Sequence, residues 1–282
     1  MLDTNSKIGF IGQGWIGKNY ADDFERRCFK IVRYSLDKNY LPNKDLIKEC
    51  DLVFIAVPTP STPNGFNPSI VEEGLSLVGE NKVAVIKSTI VPGTTSKFKV
   101  LYPNIKIFYS PEFLSEATAK FDVENPFSNI IGVSSDLDED LQIARDLLKI
   151  FPKAPFELIC KSTEAEMIKY SHNLNGYFQI VMFNLMYDVA KTLECDWGVI
   201  KDAIKNDPMM NGQYSDPIHK SGRGAGGGCF VKDMAAFRER YEDLFPDDKE
   251  GIHVLKSLET KNIKLLKESN KDLSIVSDVY GD

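Results

Sequence analysis

Short apolar runs alternate with stretches of helical period through the first half of the chain. Runs at 7–11, 30–34, 52–57, 83–87 and 105–109 read as strands. Helical patterns at 15–27, 43–49, 68–78 and 94–101 lie between them. Alternation of this kind implies a parallel sheet with helices on both faces. A strand at 130–133 and a helix at 138–150 extend it, and Pro152 and Pro155 then interrupt it. After Thr163 the period becomes helical throughout. Residues 164–193 read as one long helix, with Met167, Tyr170, Leu174, Phe178, Val181, Leu185 and Val189 at three- and four-residue steps. A helix at 197–205, a loop rich in Gly, Ser and Asp at 206–228, and helices at 233–241 and 252–267 complete the chain. The expected architecture is an α/β parallel-sheet domain at 1–155, then a mainly helical domain at 156–282 with one long central helix.

The length of 282 residues suits about two domains. A hydrophobic share of 43% supports a packed core. The 34 basic and 41 acidic side chains give a net charge of −7, which argues against nucleic acid as a partner. It leaves open a phosphorylated small molecule held by backbone N–H groups. The opening from Met1 to Lys7 is polar, without the cationic and apolar stretches of a secretory signal. No run approaches the roughly 18 apolar residues of a membrane span. Cys28, Cys50, Cys160, Cys195 and Cys229 are scattered, odd in number and lack a CxxC pair, as in a reducing compartment. His172, His219 and His253 are too far apart to suggest a metal site. The expectation is a cytoplasmic protein with no metal and no membrane partner.

Gly12, Gly14 and Gly17 form GxGxxG directly after the first strand and open a helix. In that context Gly12 permits a tight turn, Gly14 lets the backbone approach a pyrophosphate, and Gly17 lets the helix pack on the strand. The first domain is therefore expected to be Rossmann-like and to bind a dinucleotide. An acid is expected at the end of the second strand to read the ribose. Ser35 stands there, with Asp37 two residues later. Arg33 with Ser35 is an alternative receiver for a 2′-phosphate. NAD is the expected cofactor, with NADP left open.

Further segments follow in order: Val57-Pro58-Thr59-Pro60 with Gly65 and Val71-Glu72; Lys87-Ser88-Thr89 through Gly93-Thr94; Ser110-Pro111-Glu112-Phe113-Leu114-Ser115-Glu116-Ala117; Glu164 through Lys169 to Asn173; and Gly224-Ala225-Gly226-Gly227-Gly228-Cys229-Phe230-Val231-Lys232-Asp233. Together they resemble the nucleotide-sugar 6-dehydrogenases, whose best-known members are the UDP-glucose and GDP-mannose dehydrogenases. The resemblance runs from about residue 7 to 240. It implies cofactor contacts at Gly12, Gln13, Gly14, Trp15, Ile16, Gly17, Val57, Thr59, Thr89, Glu116 and Lys232. It implies substrate contacts at Glu112, Phe113, Leu114, Lys169, Asn173 and Gly226, with UDP-glucose as the default substrate. Relatives carry a third α/β domain, and the chain ends at Asp282 where that domain would begin. The segment from Ser274 to Tyr280 is expected to be a remnant of its first strand.

Oxidising a primary alcohol to a carboxylate takes two hydride transfers, and the aldehyde between them must be retained. A thiol can add to that aldehyde, and Cys is the most nucleophilic side chain at neutral pH. Cys229, after a glycine run, is the candidate; the alternative is a small buried hydrophobe. Lys169 and Asn173 are four apart and share a helix face. There they could hold an oxyanion, or be a solvated lysine beside an ordinary asparagine; the resemblance implies the former. Glu112 and Glu116 are also four apart, a like-charge spacing that disfavours a helix. By resemblance Glu112 contacts the substrate or its water, and Glu116 lies near the nicotinamide and helps activate water for thioester hydrolysis. Asp233 either positions water near the thiol or simply stands in a helix's first turn. Thr59 and Thr89 equally suit helix caps.

Two other readings remain: a two-electron 3-hydroxyacid or 6-phosphogluconate type of dehydrogenase, and a non-catalytic nucleotide-binding remnant. Leu174, Phe178, Val181, Met182, Phe183, Leu185 and Met186 make the long helix apolar around much of its circumference, so a homodimer through it is expected.

Overall fold

The computed structural model describes residues 4–281; residues 1–3 of the polar opening and Asp282 lie outside the described residues. In chain order the elements are β1 (Lys7–Ile11), α1 (Trp15–Arg26), β2 (Lys30–Tyr34), β3 (Leu52–Ile55), β4 (Ser61–Thr62), β5 (Gly65–Phe66), α2 (Ser69–Ser76), β6 (Val83–Ile86), α3 (Thr94–Leu101) and β7 (Lys106–Tyr109). Then come α4 (Ala119–Glu124), β8 (Ser128–Val133), α5 (Asp138–Ile150), β9 (Phe156–Lys161), α6 (Ser162–Thr192) and α7 (Trp197–Asn206). The series closes with β10 (Ile218–His219), β11 (Gly222–Arg223), α8 (Gly227–Leu244), α9 (Lys249–Glu268) and α10 (Leu273–Tyr280). The stretch expected as a helix at 43–49 is a tighter 3-10 helix, Leu41–Glu49, with only Ile47 buried.

The chain separates into two compact units. The first comprises residues 4–59 and 67–169 of the described chain and contains a seven-stranded sheet in the order β2-β1-β3-β6-β7-β8-β9. The first five strands in that order pair in parallel, as the alternating pattern requires. Beyond these, β7 and β8 are antiparallel, and β8 and β9 are parallel to each other. The connection between β7 and β8 carries only α4, six residues long, whereas the helices α1, α2 and α3 between the parallel strands have eight or more. Strand β9 is a sheet edge whose residues are half-buried or exposed, and its apolar run at 158–160 is obscured by Pro152 and Pro155 just before it.

The central strands are buried on both faces and read as continuous apolar runs. One face of the sheet packs on an aromatic nucleus in which Phe10, Phe24, Phe54 and Phe151 lie 5.0–6.1 Å apart, ring to ring. Each such buried ring contributes about 1.5–3 kcal/mol through area removed from water.

The second unit comprises residues 60–66 and 170–281 of the described chain. Its helices α8, α9 and α10 enclose Val231, Ala235, Leu266, Val276 and Val279. The segment expected to be a strand remnant is the helix α10, because Ile275, Val276, Val279 and Tyr280 recur on one helical face that packs in this cluster. Helix α8 begins six residues earlier than the sequence pattern suggests, so Cys229 stands inside its first turn rather than on a loop. Among the described residues no helix is long and apolar enough to cross a membrane, and no group of three or more His, Cys, Asp or Glu could hold a metal ion.

Candidate active site

In the first unit β1 has β2 on one side and β3 on the other, so the chain reverses its direction of winding there. Ligands bind outside the carboxyl ends of strands at such a point. Gly12 leaves β1 with φ +91°, its N–H donating to the Tyr34 carbonyl at 2.9 Å. A Cβ at Gly12 would lie 2.1 Å from the Ala56 carbonyl oxygen, and one at Gly17 would lie 2.1 Å from that of Gly12. Both glycines are therefore required by packing. Gly14 differs, since a Cβ there would meet nothing within 4 Å. It is the N-cap of α1, has no side-chain cap, and is followed by Trp15 and Ile16, whose N–H groups open the helix. Open space above uncapped N–H groups at a helix's positive end fits a dinucleotide's pyrophosphate.

The neighbouring side chains are placed as follows. Gln13 Nε2 donates to the Gly12 carbonyl at 3.0 Å. Ser35 is half-buried beyond β2, and its Oγ accepts from the Asp37 N–H at 3.2 Å. Arg33 is held by Asp22 Oδ1 and Glu25 Oε2, each at 2.7 Å. Two carboxylates beside Arg33 make these surroundings repellent to a 2′-phosphate and compatible with a free ribose hydroxyl. Beyond β3 and β6, the Val57 N–H donates to Ser88 Oγ at 2.9 Å and Thr59 Oγ1 donates to the Thr89 carbonyl at 2.8 Å. Both threonines are buried, so these bonds tie the two strand ends together. Glu116 is exposed in a groove of about 470 Å³ with Asn19, Lys120 and Phe121. Glu112 and Glu116 do not share a helix: the chain between them is irregular, and helix α4 starts only at Ala119. Their like-charge spacing thus has no helix to destabilise.

Lys169, on the first turns of α6, is 4% exposed, and Glu112 is 2% exposed. Lys169 Nζ donates to the Glu112 carbonyl at 2.6 Å and to Glu112 Oε1 at 2.9 Å. Glu112 Oε2 accepts from the Leu114 N–H at 2.9 Å, and the Phe113 ring lies 5.5 Å from Nζ. An ammonium has three donors. Two are committed to Glu112, which leaves one for a developing oxyanion. The solvated-lysine alternative is therefore ruled out by burial.

Two residues near this pair had no role in the sequence reading. Glu166, one turn before Lys169, accepts from the Gly93 and Thr95 N–H groups at 2.6 and 2.8 Å and from Thr95 Oγ1 at 2.6 Å. It thereby caps α3, whose own N-cap glycine has no side chain, and anchors the start of α6. Burial raises its pKa and these bonds oppose the rise. Lys87 is 3% exposed and donates to Ser110 Oγ at 3.1 Å, with the rings of Tyr20 and Phe151 at 4.3 and 5.0 Å. A lysine ending the apolar run from Val83 to Ile86 was the available signal.

Burial lowers the Lys87 pKa to about 7, opposed by the Glu112 charge and reinforced by Lys169. Its folded pKa lies below the unfolded value of about 10.4. The unfolded chain then binds the proton first as pH falls. The stability this group contributes is present above about pH 10.4, declines as pH falls, and is lost by about pH 7. Between pH 7 and 9.5 the wild type should gain stability that Lys87→Met does not gain. Thermal unfolding of both proteins at the two pH values checks this; parallel pH responses would contradict it.

In the second unit α6 carries Asn173, four residues on from Lys169. Asn173 is 6% exposed, and its Nδ2 donates to Asp233 Oδ2 at 2.6 Å. Asp233 is buried in the second turn of α8, and its Oδ1 is paired with Lys232 Nζ. Asp233 therefore does not stand in a helix's first turn. Gly226 is the N-cap of α8, and Gly227 and Gly228 precede Cys229 in its first turn. Cys229 is exposed, which excludes a small buried hydrophobe. A Cβ at Gly227 or Gly228 would meet nothing within 4 Å, so the approach beside the thiol is open. A helix N-terminus stabilises a thiolate and so raises the fraction of that nucleophilic form at neutral pH.

Comparison with known proteins bears on the family of the chain. Residues 36–151 match the model of the UDP-glucose/GDP-mannose dehydrogenase family, NAD binding domain, and residues 163–262 match that family's central domain. The UDP-glucose 6-dehydrogenase of Streptococcus pneumoniae is 30% identical over 84% of this chain and 69% of its own length. A UDP-glucose dehydrogenase structure from the hyperthermophilic archaeon Pyrobaculum islandicum superposes with a TM-score of 0.77 at 24% identity, covering 94% of this chain and 71% of that one. The Mycobacterium tuberculosis 3-hydroxyisobutyrate dehydrogenase shares the fold at a TM-score of 0.73 and 13% identity, over 98% of both chains. The chain spans 34%, 47% and 64% of the length of three other curated relatives it matches.

Proposed function

The chain belongs to the UDP-glucose/GDP-mannose dehydrogenase family, and from that premise we propose that it oxidises the C6 alcohol of a nucleotide-sugar to the carboxylate, with UDP-glucose to UDP-glucuronate as the default. The observation that carries this reading is an exposed cysteine in the first turn of α8, beside two glycines with open space above them. The Gly14 cradle would hold NAD, which supplies the hydride acceptor; each NAD accepts one hydride, so two NAD molecules in succession would serve the two oxidations.

In this mechanism Cys229 Sγ forms a bond to the aldehyde carbon left by the first oxidation, giving a thiohemiacetal. Loss of the second hydride leaves a thioester. Water adds to it, the carbon–sulfur bond breaks, and the acid and the thiol are released. Lys169 supplies its remaining N–H to the oxyanion that forms at each addition, and Asn173 supplies an amide N–H. Asp233 fixes the Asn173 amide. An ionised carboxylate has about four acceptor sites, so the two used by Asn173 and Lys232 leave room for a water. Glu116, exposed to solvent water, is the base for hydrolysis. Glu112 holds Lys169 in position.

A two-electron oxidation is the second reading, favoured by the fold shared with the 3-hydroxyisobutyrate dehydrogenase over nearly all of both chains. It has no use for a thiol. The experiment is reduced-cofactor formation with NAD and then NADP across a panel led by UDP-glucose and GDP-mannose. Reduction of NAD by a nucleotide-sugar supports the proposal. Measurable NAD binding without reduction by any of them would contradict it and favour a non-catalytic protein. The proposal extends to a homodimer through α6, where Met182, Leu185, Met186 and Val189 are 40–60% exposed despite being apolar. A monomer's elution volume at micromolar concentration would remove that part.

A further inference from the structure

The glycine loop leading into α8 is held along its length by side chains of α9 and the turn after it. Ser269 Oγ accepts from the Arg223 N–H at 3.0 Å. Lys271 Nζ donates to the carbonyls of Gly224 at 2.9 Å and Gly222 at 3.4 Å. Asn262 forms a two-way pair with Ala225, accepting its N–H at 2.7 Å and donating to its carbonyl at 2.9 Å. Asp272 Oδ2 accepts from the Gly227 N–H at 2.8 Å. Asn262 and Lys271 are buried. A Cβ at Gly226 would lie 2.1 Å from Asp272 Oδ2 and 2.8 Å from Lys271 Cε, so a larger residue there would displace these two side chains.

Irregular backbone needs partners for its polar groups wherever it is buried, and without them it opens at low cost. Here one turn supplies those partners. Gly227 is the first residue of α8 and Cys229 the third. Holding the Gly227 N–H therefore fixes the turn that aims Sγ. Asp272 itself takes φ +52°, a conformation that Asp, Asn and Gly tolerate best. Lys271 and Asp272 lie past the residues matched by the central-domain model, which end at 262.

We propose that Lys271 and Asp272 are positioning residues for the Cys229 thiol, acting through the glycine loop. The proposal rests on the reading of Cys229 as the nucleophile. Three variants of the full chain test it: Lys271→Met, Asp272→Gly and Asp272→Asn. Each is measured for thermal stability, for kcat and the KM for NAD with UDP-glucose, and for the pH midpoint of iodoacetamide labelling at each cysteine. Loss of a bond to a charged group predicts a kcat lower by about tenfold in Lys271→Met and Asp272→Gly, with the KM for NAD unchanged. Asp272→Asn keeps the acceptor and the backbone conformation, and should restore kcat to within about twofold of wild type. The Cys229 labelling midpoint should move to higher pH in Lys271→Met, because the order of the helix end that stabilises the thiolate is lost. The exposed Cys28 and Cys195 serve as internal controls and should not shift.

Wild-type kcat and an unmoved Cys229 midpoint in folded Lys271→Met or Asp272→Gly would overturn the proposal. So would an Asp272→Asn variant as impaired as Asp272→Gly. If Lys271→Met does not fold, the Asp272 pair decides alone. Labelling requires no turnover, so a failure of the thioester reading is separable: it would show as acid formation by Cys229→Ser, whatever the midpoints do.

Discussion

Cys229→Ser is expected to lower acid formation by about 10³-fold or more while NAD binding persists. A serine hydroxyl ionises far less readily than a thiol, and the N-terminus of α8 cannot supply the difference. The substitution is nearly isosteric at an exposed position, so the fold should survive it. The cofactor cradle at Gly12, Gly14 and Gly17 is built in the first unit without Cys229. Acid yield by chromatography and NAD titration by fluorescence together check both halves. Undiminished acid formation would remove the thioester, and loss of NAD binding would show that the cysteine has a structural role.

Lys169→Met should reduce both stability and turnover, for separable reasons. It strips the partner from a carboxylate whose side chain is 2% exposed. Leaving one member of a buried pair unpaired costs about 3–5 kcal/mol. At about 2–4 °C per kcal/mol for a unit of this size, the unfolding midpoint should fall by roughly 6–20 °C. Adding Glu112→Gln removes the stranded charge, so the double variant should recover part of that loss. Turnover should fall by about 10²–10³-fold in Lys169→Met and stay low in the double variant, since the oxyanion donor is absent in both. Thermal unfolding and steady-state rates on the single and double variants form the test. Additive stability losses would show that the two side chains do not depend on each other.

Local signals make much of this molecule readable. The strands β1, β3 and β6 are uninterrupted apolar runs because both of their faces are covered, and four or five apolar residues in a row are too few for a buried helix. Gly12, Gly14 and Gly17 announce themselves by spacing, yet only the structure separates their duties. Packing requires Gly12 and Gly17, whereas Gly14 alone of the three faces open space. Long α6 is legible from its apolar steps.

Other features depend on distant partners, and spacing carries no record of those. Glu166 reaches the N-terminus of α3 across 71 to 73 positions of sequence. Lys87 looks like a strand-ending surface lysine until Tyr20 and Phe151 are placed around it. The α10 segment reads as a strand because Ile275, Val276 and Val279 are β-branched and favour strands in isolation, while their spacing suits a helix packed on α8 and α9. The start of α8 is hidden in the sequence because glycines are poor helix formers. Its first turn is instead held by the Asp272 contact to Gly227.

The central claim is a four-electron oxidation held on a thiol, and its most direct test is the yield of reduced cofactor per sugar consumed. UDP-glucose, or whichever panel member reacts, is incubated to completion with excess NAD, and both products are quantified. The account predicts two equivalents of NADH per sugar, with uronic acid as the product and no free aldehyde. One equivalent per sugar, with an aldehyde or ketone as the end product, would contradict it and leave Cys229 without the chemistry assigned to it.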